Sequence, residues 1–134
     1  MLSNRSILKE FSLDKKDRYS VFQLDEENLN SLMAPNLKSE FVFLRNEGVK
    51  NLIFDLRNVH YVDSSGLSAI LTANRLWKDY GSFVLAEATH APVKKLIEIS
   101  RLESILSIVP TLHEAVDYVM MDEMQRELTG GKEE

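Results

Sequence analysis

Between residues 19 and 124, short apolar runs alternate with segments in which apolar residues recur at helical spacing. A short apolar run predicts a buried strand, and helical spacing predicts a helix that packs by one face. Strands that alternate with helices pair in parallel, because each helix carries the chain back to the edge where the previous strand began. The sequence therefore predicts an α/β fold with a mixed, mostly parallel sheet of about five strands packed with about four helices.

The predicted order begins with a hairpin. Residues 11–13 and 19–24 flank a very polar stretch, which predicts two antiparallel strands. Further strands are predicted at residues 52–56, 83–86 and 105–109. Helices are predicted to begin at Ala34, near Gly66, at Pro92 and at Thr111. A single domain over residues 9–124 would contain all these elements, and residues 125–134 would form a flexible tail.

Charge and composition narrow the kind of partner. The chain of 134 residues has a net charge of -5 and no cysteine. Binding to a nucleic-acid backbone draws on clustered Lys and Arg, which occur here only as short pairs among carboxylates. No stretch reaches the roughly 18 consecutive apolar residues of a membrane helix, and no secretory segment develops near the start. We therefore expect a cytoplasmic protein that binds another protein, without direct contact to nucleic acid or membrane.

The run Asp63-Ser64-Ser65-Gly66-Leu67 is the part of the sequence that most suggests a regulatory site. Ser64 and Ser65 lie where a polar loop meets the first turn of a predicted helix. The first N–H groups of a helix lack internal partners and the helix dipole is positive there, so a phosphoryl group on Ser64 would be favoured by about 0.3 to 1 kcal/mol. The phosphoryl group would add about -1.5 to -2 charges beside Asp63, which a docked partner would have to desolvate.

Gly66 and Leu67 extend this interpretation. The missing side chain at Gly66 would let another protein's backbone approach, as a kinase must to reach a serine hydroxyl, and Leu67 would offer an apolar contact. The alternative is structural: Ser64 or Ser65 is a helix N-cap, and Gly66 relieves a tight turn. Spacing alone favours this alternative, because serine is a very common N-cap.

Longer stretches of the sequence resemble the STAS family, specifically the anti-sigma-factor antagonists of bacterial partner-switching systems. Residues 51–56 followed by residues 59–71 are similar to the family's central strand, loop and phosphorylated-serine helix. Residues 91–102 resemble the segment in which the family has a helix and then a short strand. The resemblance extends over residues 9–121 and implies a STAS-like fold.

The resemblance also implies roles for individual residues. In the family, the serine directly after the aspartate is phosphorylated by a partner that is both anti-sigma factor and serine kinase, and that position here is Ser64. The unphosphorylated chain would bind this partner and free a sigma factor, phosphorylation would abolish binding, and a phosphoserine phosphatase would reset the cycle. The antagonist itself would have no enzyme activity, catalytic residue, cofactor or metal. Its partner-binding residues would be Asn30, Asp63, Ser64, Ser65, Gly66 and Leu67.

The chain departs from the family before its first helix. The family often has an acidic Glu-Leu-Asp-like stretch there, and the matching positions are Asn28-Leu29-Asn30. Amides in place of carboxylates remove charge complementarity to a basic kinase surface, so the contact surface would differ. Some STAS domains are passive, and the alternative function is therefore a non-phosphorylated interaction module in a transporter-associated or sensing complex.

Enzymatic functions fit the sequence less well. Ser68 superficially resembles the serine of a Gly-x-Ser-x-Gly elbow, but it falls inside a predicted helix and the second glycine is missing. Asp55 lies in a predicted strand, as in phosphoacceptor-aspartate receivers, yet Val109-Pro110-Thr111 at the end of the last predicted strand offers no lysine, so we expect a structural hydrogen bond instead. No glycine-rich nucleotide motif is present, and the three histidines lack the spacing of a zinc site.

Overall fold

The computed structural model describes residues 11–130. The strands in this range are β1 (Phe11–Lys15), β2 (Ser20–Leu24), β3 (Asn28–Leu29), β4 (Asn51–Asp55), β5 (Tyr61–Val62), β6 (Ser82–Ala86) and β7 (Ser107–Val109). The helices are α1 (Ala34–Asn46), α2 (Ser64–Trp77), α3 (Ala91–Ile99) and α4 (Leu112–Leu128), with a 3-10 turn at Leu102–Ser104. Within residues 11–130, no helix combines the length and apolar character needed to cross a membrane.

Five strands form one sheet in the order β1-β2-β4-β6-β7. β1 pairs antiparallel with β2, whereas the pairs β2–β4, β4–β6 and β6–β7 are parallel. The predicted mixed, mostly parallel sheet is therefore confirmed. The central strand β4 is buried along its whole length, as expected for a strand that is covered on both faces.

Alternate residues of the central strands face opposite sides of the sheet, and each side has its own apolar core. On one side, the ring of Phe41 in α1 lies 5.3 Å from that of Phe54 and 5.8 Å from that of Phe83, measured between centroids. Trp77 of α2 packs on the same cluster. On the other side, the sheet packs against α4 through smaller residues, namely Val21, Ile53, Val84, Ala86, Ala115 and Val119.

The last strand is shorter than the apolar run at residues 105–109 predicted. Ile105 precedes the strand and is 58% exposed, and Leu106 is buried in the main core together with Leu102 of the 3-10 turn. Only Ser107–Val109 pairs with β6. The run therefore includes both the residues that follow the 3-10 turn and the strand β7, and its apolar pattern alone does not show where the strand begins.

α4 continues through Leu128, so residues 125–128 of the predicted flexible tail are helical. Contacts of Arg126 with the sheet hold this part of the helix in place. Its guanidinium donates hydrogen bonds to Asn51 Oδ1 at 2.9 Å and to Ser82 Oγ at 3.3 Å, at the starts of β4 and β6. A charged side chain thus ties the last turns of α4 to the sheet. Residues 9, 10 and 131–134 of the predicted domain and tail lie outside the described residues.

Replacing Arg126 by Ala should lower the free energy of unfolding by about 1 to 2 kcal/mol, because charge-assisted hydrogen bonds to the sheet are lost. Gln125→Ala is the matched control, since Gln125 is exposed on the same helix. Urea denaturation of both variants makes the comparison. Equal stabilities would show that the end of α4 is not part of the cooperative domain.

Candidate functional site

The predicted site is built on a two-stranded sheet that the sequence analysis did not predict. β3 and β5 pair in parallel, with Leu29 opposite Val62. The carbonyl of Leu29 then accepts a hydrogen bond from the N–H of Asp63 at 3.1 Å. This pairing places the segment that contains Asn30 beside the start of α2, so residues that are distant in the sequence share one surface.

Asp63 is the N-cap of α2. Its backbone is extended, with φ -99° and ψ -172°, and its Oδ1 accepts the N–H of Gly66 at 2.9 Å. The helix begins at Ser64, two residues before the predicted start near Gly66. The structural alternative in which Ser64 or Ser65 is the N-cap is therefore wrong, because the aspartate satisfies the helix end and both serines lie in the first turn.

Of the two serines in the first turn of α2, Ser64 is exposed and Ser65 is half-buried. Ser64 occupies the first position of α2, and no other group in residues 11–130 holds its hydroxyl in a hydrogen bond. The positive end of the helix dipole and the unpaired first N–H groups favour an anion at this place. The Ser64 hydroxyl is therefore accessible to another protein, and a phosphoryl group on it is compatible with the helix.

Gly66 is buried, which corrects the prediction that it admits a partner's backbone. A Cβ at this position would lie 2.4 Å from the carbonyl oxygen of Leu29 and 2.9 Å from Cγ1 of Val62. The close approach that requires glycine is thus intramolecular, since β3 and β5 pack directly on the first turn of α2. Gly66 shapes the surface without forming part of it.

The remaining predicted partner-binding residues, Leu67 and Asn30, and the nearby Asn28 differ in how much of each side chain a partner could contact. Leu67 is half-buried and packs against the main core, so only part of its side chain is available to a partner. The Oδ1 of Asn30 accepts the N–H of Leu32 at 3.0 Å, which shapes the turn before α1. Asn28 is exposed on β3. The β3–β5 pairing therefore brings both asparagines to the same end of the molecule as Ser64.

An apolar groove beside the loop was not predicted. It has a volume of about 520 Å³ and is lined by Val62, Ala91, Pro92, Lys95, Leu96 and Ile99. Ile99 is 68% exposed, and Tyr61 of β5 is 56% exposed. Ile99 falls outside the helical spacing of the buried residues Val93 and Ile97. That off-register apolar residue was the sequence signal for an uncovered surface.

An ion-pair network closes the carboxyl ends of β4 and β6. Asp55 is fully buried, and its Oδ2 lies 2.9 Å from Nη2 and 3.0 Å from Nε of Arg57. The carboxylate of Glu87 lies 3.7 Å from the same guanidinium and accepts the N–H of Leu112 at 2.7 Å. The hydrogen bond to Asp55 raises the pKa of Arg57 above its usual value, and burial opposes this rise. The predicted structural role of Asp55 is confirmed.

The groups considered for catalysis and metal binding do not converge. Across residues 11–130, no three His, Asp or Glu side chains are grouped so that they could hold a metal ion. Ser68 lies inside α2 and is half-buried, away from a strand-to-helix turn. His60 and His90 stack with ring centroids 3.9 Å apart, and Nε2 of His90 lies 3.0 Å from the carbonyl oxygen of Arg57. These histidines pack the loops at this end of the sheet.

Replacing Asp63 by Ala should lower the free energy of unfolding by about 0.5 to 2 kcal/mol, because the cap on Gly66 N–H is lost. Ser64→Ala is the matched control and should change it by less than about 0.5 kcal/mol, since this side chain is exposed. Urea denaturation followed by the fluorescence of Trp77, the single tryptophan, measures both. A larger loss in Ser64→Ala would contradict the assignment of the cap.

The fold and the site together define a small α/β domain in which a mixed five-stranded sheet supports an exposed serine at the start of its second helix. The family model described as STAS domain matches residues 10–115, which is most of the chain. The chain belongs to the STAS domain family, as its sequence resemblance implied.

Three similar proteins of known structure share the fold. An anti-sigma factor antagonist from Mycobacterium paratuberculosis is 20% identical, with a TM-score of 0.74 over 82% of this chain and 92% of that chain. An anti-sigma-factor antagonist (STAS) domain protein from Planctomyces limnophilus is 15% identical, with a TM-score of 0.71 over 81% and 96%. The anti-sigma factor antagonist SpoIIAA of Bacillus, in its unphosphorylated form, is 20% identical, with a TM-score of 0.64 over 82% and 97%. A structure of SpoIIAA in its phosphorylated form is also similar. At these identities the likeness establishes the fold.

Proposed function

We propose that this chain is an anti-sigma-factor antagonist that is switched at Ser64. The unphosphorylated form binds an anti-sigma factor that is also a serine kinase and thereby frees a sigma factor. Phosphorylation of Ser64 abolishes the binding, and a phosphoserine phosphatase restores it. The observation that carries the proposal is the exposed Ser64 hydroxyl at the first position of α2, where Asp63 already provides the cap.

The surface around Ser64 has the composition of a protein interface. The groove between β5 and α3 and the exposed side chains of Tyr61, Ile99 and Leu32 supply apolar area on the sides of the loop. Apolar area in the centre of an interface supplies affinity, and polar groups determine specificity. In this arrangement the apolar side chains supply the affinity for the partner, and the phosphorylation state of Ser64 determines whether the partner can bind.

The electrostatics of the loop favour release after phosphorylation. Asp63 is exposed next to Ser64, and Asp25 and Glu27 are exposed in the segment before β3. A phosphoryl group adds about -1.5 to -2 charges to this acidic surface. A docked partner would have to desolvate that charge, which is costly. The domain itself stays folded, because the start of a helix accepts an anion.

The neutral side chain of Asn28 on β3 affects which partner surface the chain can bind. Asn28 is exposed and neutral, and the family resemblance implies a carboxylate at this position in many antagonists. A kinase surface that binds this chain therefore needs less positive charge opposite β3 than one that binds an acidic relative.

The proposal is tested by a phosphorylation reaction with a defined kinase. The tagged chain is used to recover its partner from host cells, and the recovered kinase is incubated with ATP and the purified chain. We expect one phosphoryl group in the wild type and in Ser65→Ala, and none in Ser64→Ala, by intact-mass and peptide mass spectrometry. Recovery of partners that never phosphorylate Ser64 would overturn the switch and favour the passive STAS interaction module.

A further inference from the structure

The groove between β5 and α3 is apolar except for one cation. We call it the β5–α3 groove, and its lining residues are Val62, Ala91, Pro92, Lys95, Leu96 and Ile99. Lys95 and Ile99 lie one turn apart on the same side of α3. Both side chains are exposed, as is Pro92, so the groove is open along α3. An open apolar groove suits a segment of another protein, because a small-molecule pocket encloses most of its ligand.

Contacts at one end of the groove fix the distance between its two walls. His60 precedes β5 and His90 precedes α3, and their imidazole rings stack with centroids 3.9 Å apart. Nε2 of His90 also lies 3.0 Å from the carbonyl oxygen of Arg57. Val93 and Ile97 are buried in the main core and anchor α3 from below. The groove is thus formed before a partner binds, which lowers the entropic cost of binding.

The ammonium group of Lys95 is the charge that a segment in the groove would meet. In the part of the chain that the structure describes, no carboxylate forms an ion pair with Lys95. Asp63 follows Val62 along the chain, but its Oδ1 accepts the N–H of Gly66 at the start of α2. A free ammonium beside an apolar surface is complementary to a carboxylate that adjoins an apolar side chain. Charge complementarity therefore selects an acidic segment.

Other occupants fit these features less well. A second copy docked here by a twofold axis would bring two Lys95 side chains together, and a basic segment would meet the same repulsion. An anionic membrane would be repelled by the chain's net charge of -5. The groove is also continuous with the Ser64 site, because Val62 lies two residues before Ser64. A protein docked at Ser64 therefore reaches the groove on the same surface.

We propose that the β5–α3 groove binds a segment of the partner protein in which an acidic residue adjoins apolar side chains and its carboxylate pairs with Lys95. That this partner is the one switched at Ser64 rests on the proposed function. Burial of the apolar side chains supplies affinity. Lys95 makes the groove selective, since a basic segment would leave two cations close together.

The test uses the full chain and two short designed peptides, with no other protein present. The acidic peptide contains leucines and aspartates, and the basic peptide has lysine in place of each aspartate. Titrations are followed by amide chemical shifts. We expect the acidic peptide to bind at least about fivefold more tightly than the basic one. The shifts should centre on Val62, Leu96 and Ile99, which line the groove.

Variants separate the groove from the rest of α3. Lys95→Glu should reverse the preference, so that the basic peptide binds more tightly. The matched control is Lys94→Glu, which changes an exposed neighbour that does not line the groove and should retain the preference. Ile99→Ser should weaken binding of the acidic peptide by about fivefold or more. Its control is Ile105→Ser, since Ile105 is 58% exposed and lies outside the groove.

Absence of binding, or equal affinity for the two peptides, would overturn the proposal. Equal effects of Lys95→Glu and Lys94→Glu would also overturn it, because the overall charge of α3 would then determine binding. Tighter binding of decanoate with the same shifts would assign the groove to a small amphipathic carboxylate. None of these readouts involves phosphorylation or a kinase. Failure here therefore leaves the switch at Ser64 untouched, and failure of the switch leaves the groove as a site of a passive interaction module.

Discussion

Phosphorylation of Ser64 is expected to weaken binding to the proposed anti-sigma-factor partner by about 100-fold or more, which corresponds to about 2.7 kcal/mol. The reason is that the phosphoryl group and the exposed Asp63 would both have to be desolvated in the complex. The change is confined to the interface, because the start of α2 accepts the added anion and the free energy of unfolding should rise by about 0.3 to 1 kcal/mol. Isothermal titration of the unmodified and phosphorylated chains gives the two affinities.

Variants at the same position should show a graded effect. Ser64→Ala retains a small neutral surface and should bind within about threefold of the wild type, independently of the kinase reaction. Ser64→Asp should lose about tenfold, since one carboxylate has less charge and fewer oxygens than a phosphoryl group. The matched control is Ser39→Asp, which places the same charge at an exposed position of α1 and should bind normally. Equal affinity of the phosphorylated and unmodified chains would contradict the switch.

Gly66→Ala is expected to lower the free energy of unfolding by about 1 to 3 kcal/mol, even though alanine is the better helix former. The added Cβ would lie 2.4 Å from the carbonyl oxygen of Leu29, so β3 would have to move away from α2. The same movement would separate Asn28 and Asn30 from Ser64, and we therefore expect partner binding to be lost together with stability. Urea denaturation and titration with the partner measure the two effects.

The control for Gly66 is the neighbouring substitution Ser65→Ala, which adds no atoms and should cost less than about 0.5 kcal/mol. A Gly66→Ala variant that is more stable than the wild type would show that helix propensity dominates. In that case the contact between β3 and α2 would not be the reason for glycine at this position.

The sheet and the helices could be predicted because their signals are local. β4 is a short apolar run and α2 has a clear helical spacing, so each element is visible within its own segment. β3 and β5 were missed for the opposite reason. Each has two residues, and a strand of that length has no periodicity to detect. Its existence depends on a partner that is distant in the sequence.

The placement of Ser64 at a helix start was predicted, but the contacts around it were predicted only in part. An exposed serine at a helix start follows from the order of residues, and Ser64 is indeed such a serine. The cap by Asp63 and the burial of Gly66 depend on how Leu29 packs against the loop, which no local pattern contains. The end of α4 was missed in the same way. Arg126 has the pattern of a surface residue, and its hydrogen bond to the buried Asn51 is visible only in the folded structure.

The measurement that tests the switch most directly combines phosphorylation and binding in one sample. The chain is purified through a tag from its native host, growing and stressed, and Ser64 occupancy and the amount of the proposed anti-sigma-factor partner that co-purifies are quantified by mass spectrometry. We predict a stress-dependent phosphorylated fraction and an amount of bound partner that falls as this fraction rises. Ser64 that stays unmodified in every condition, with the partner bound at a constant level, would contradict it.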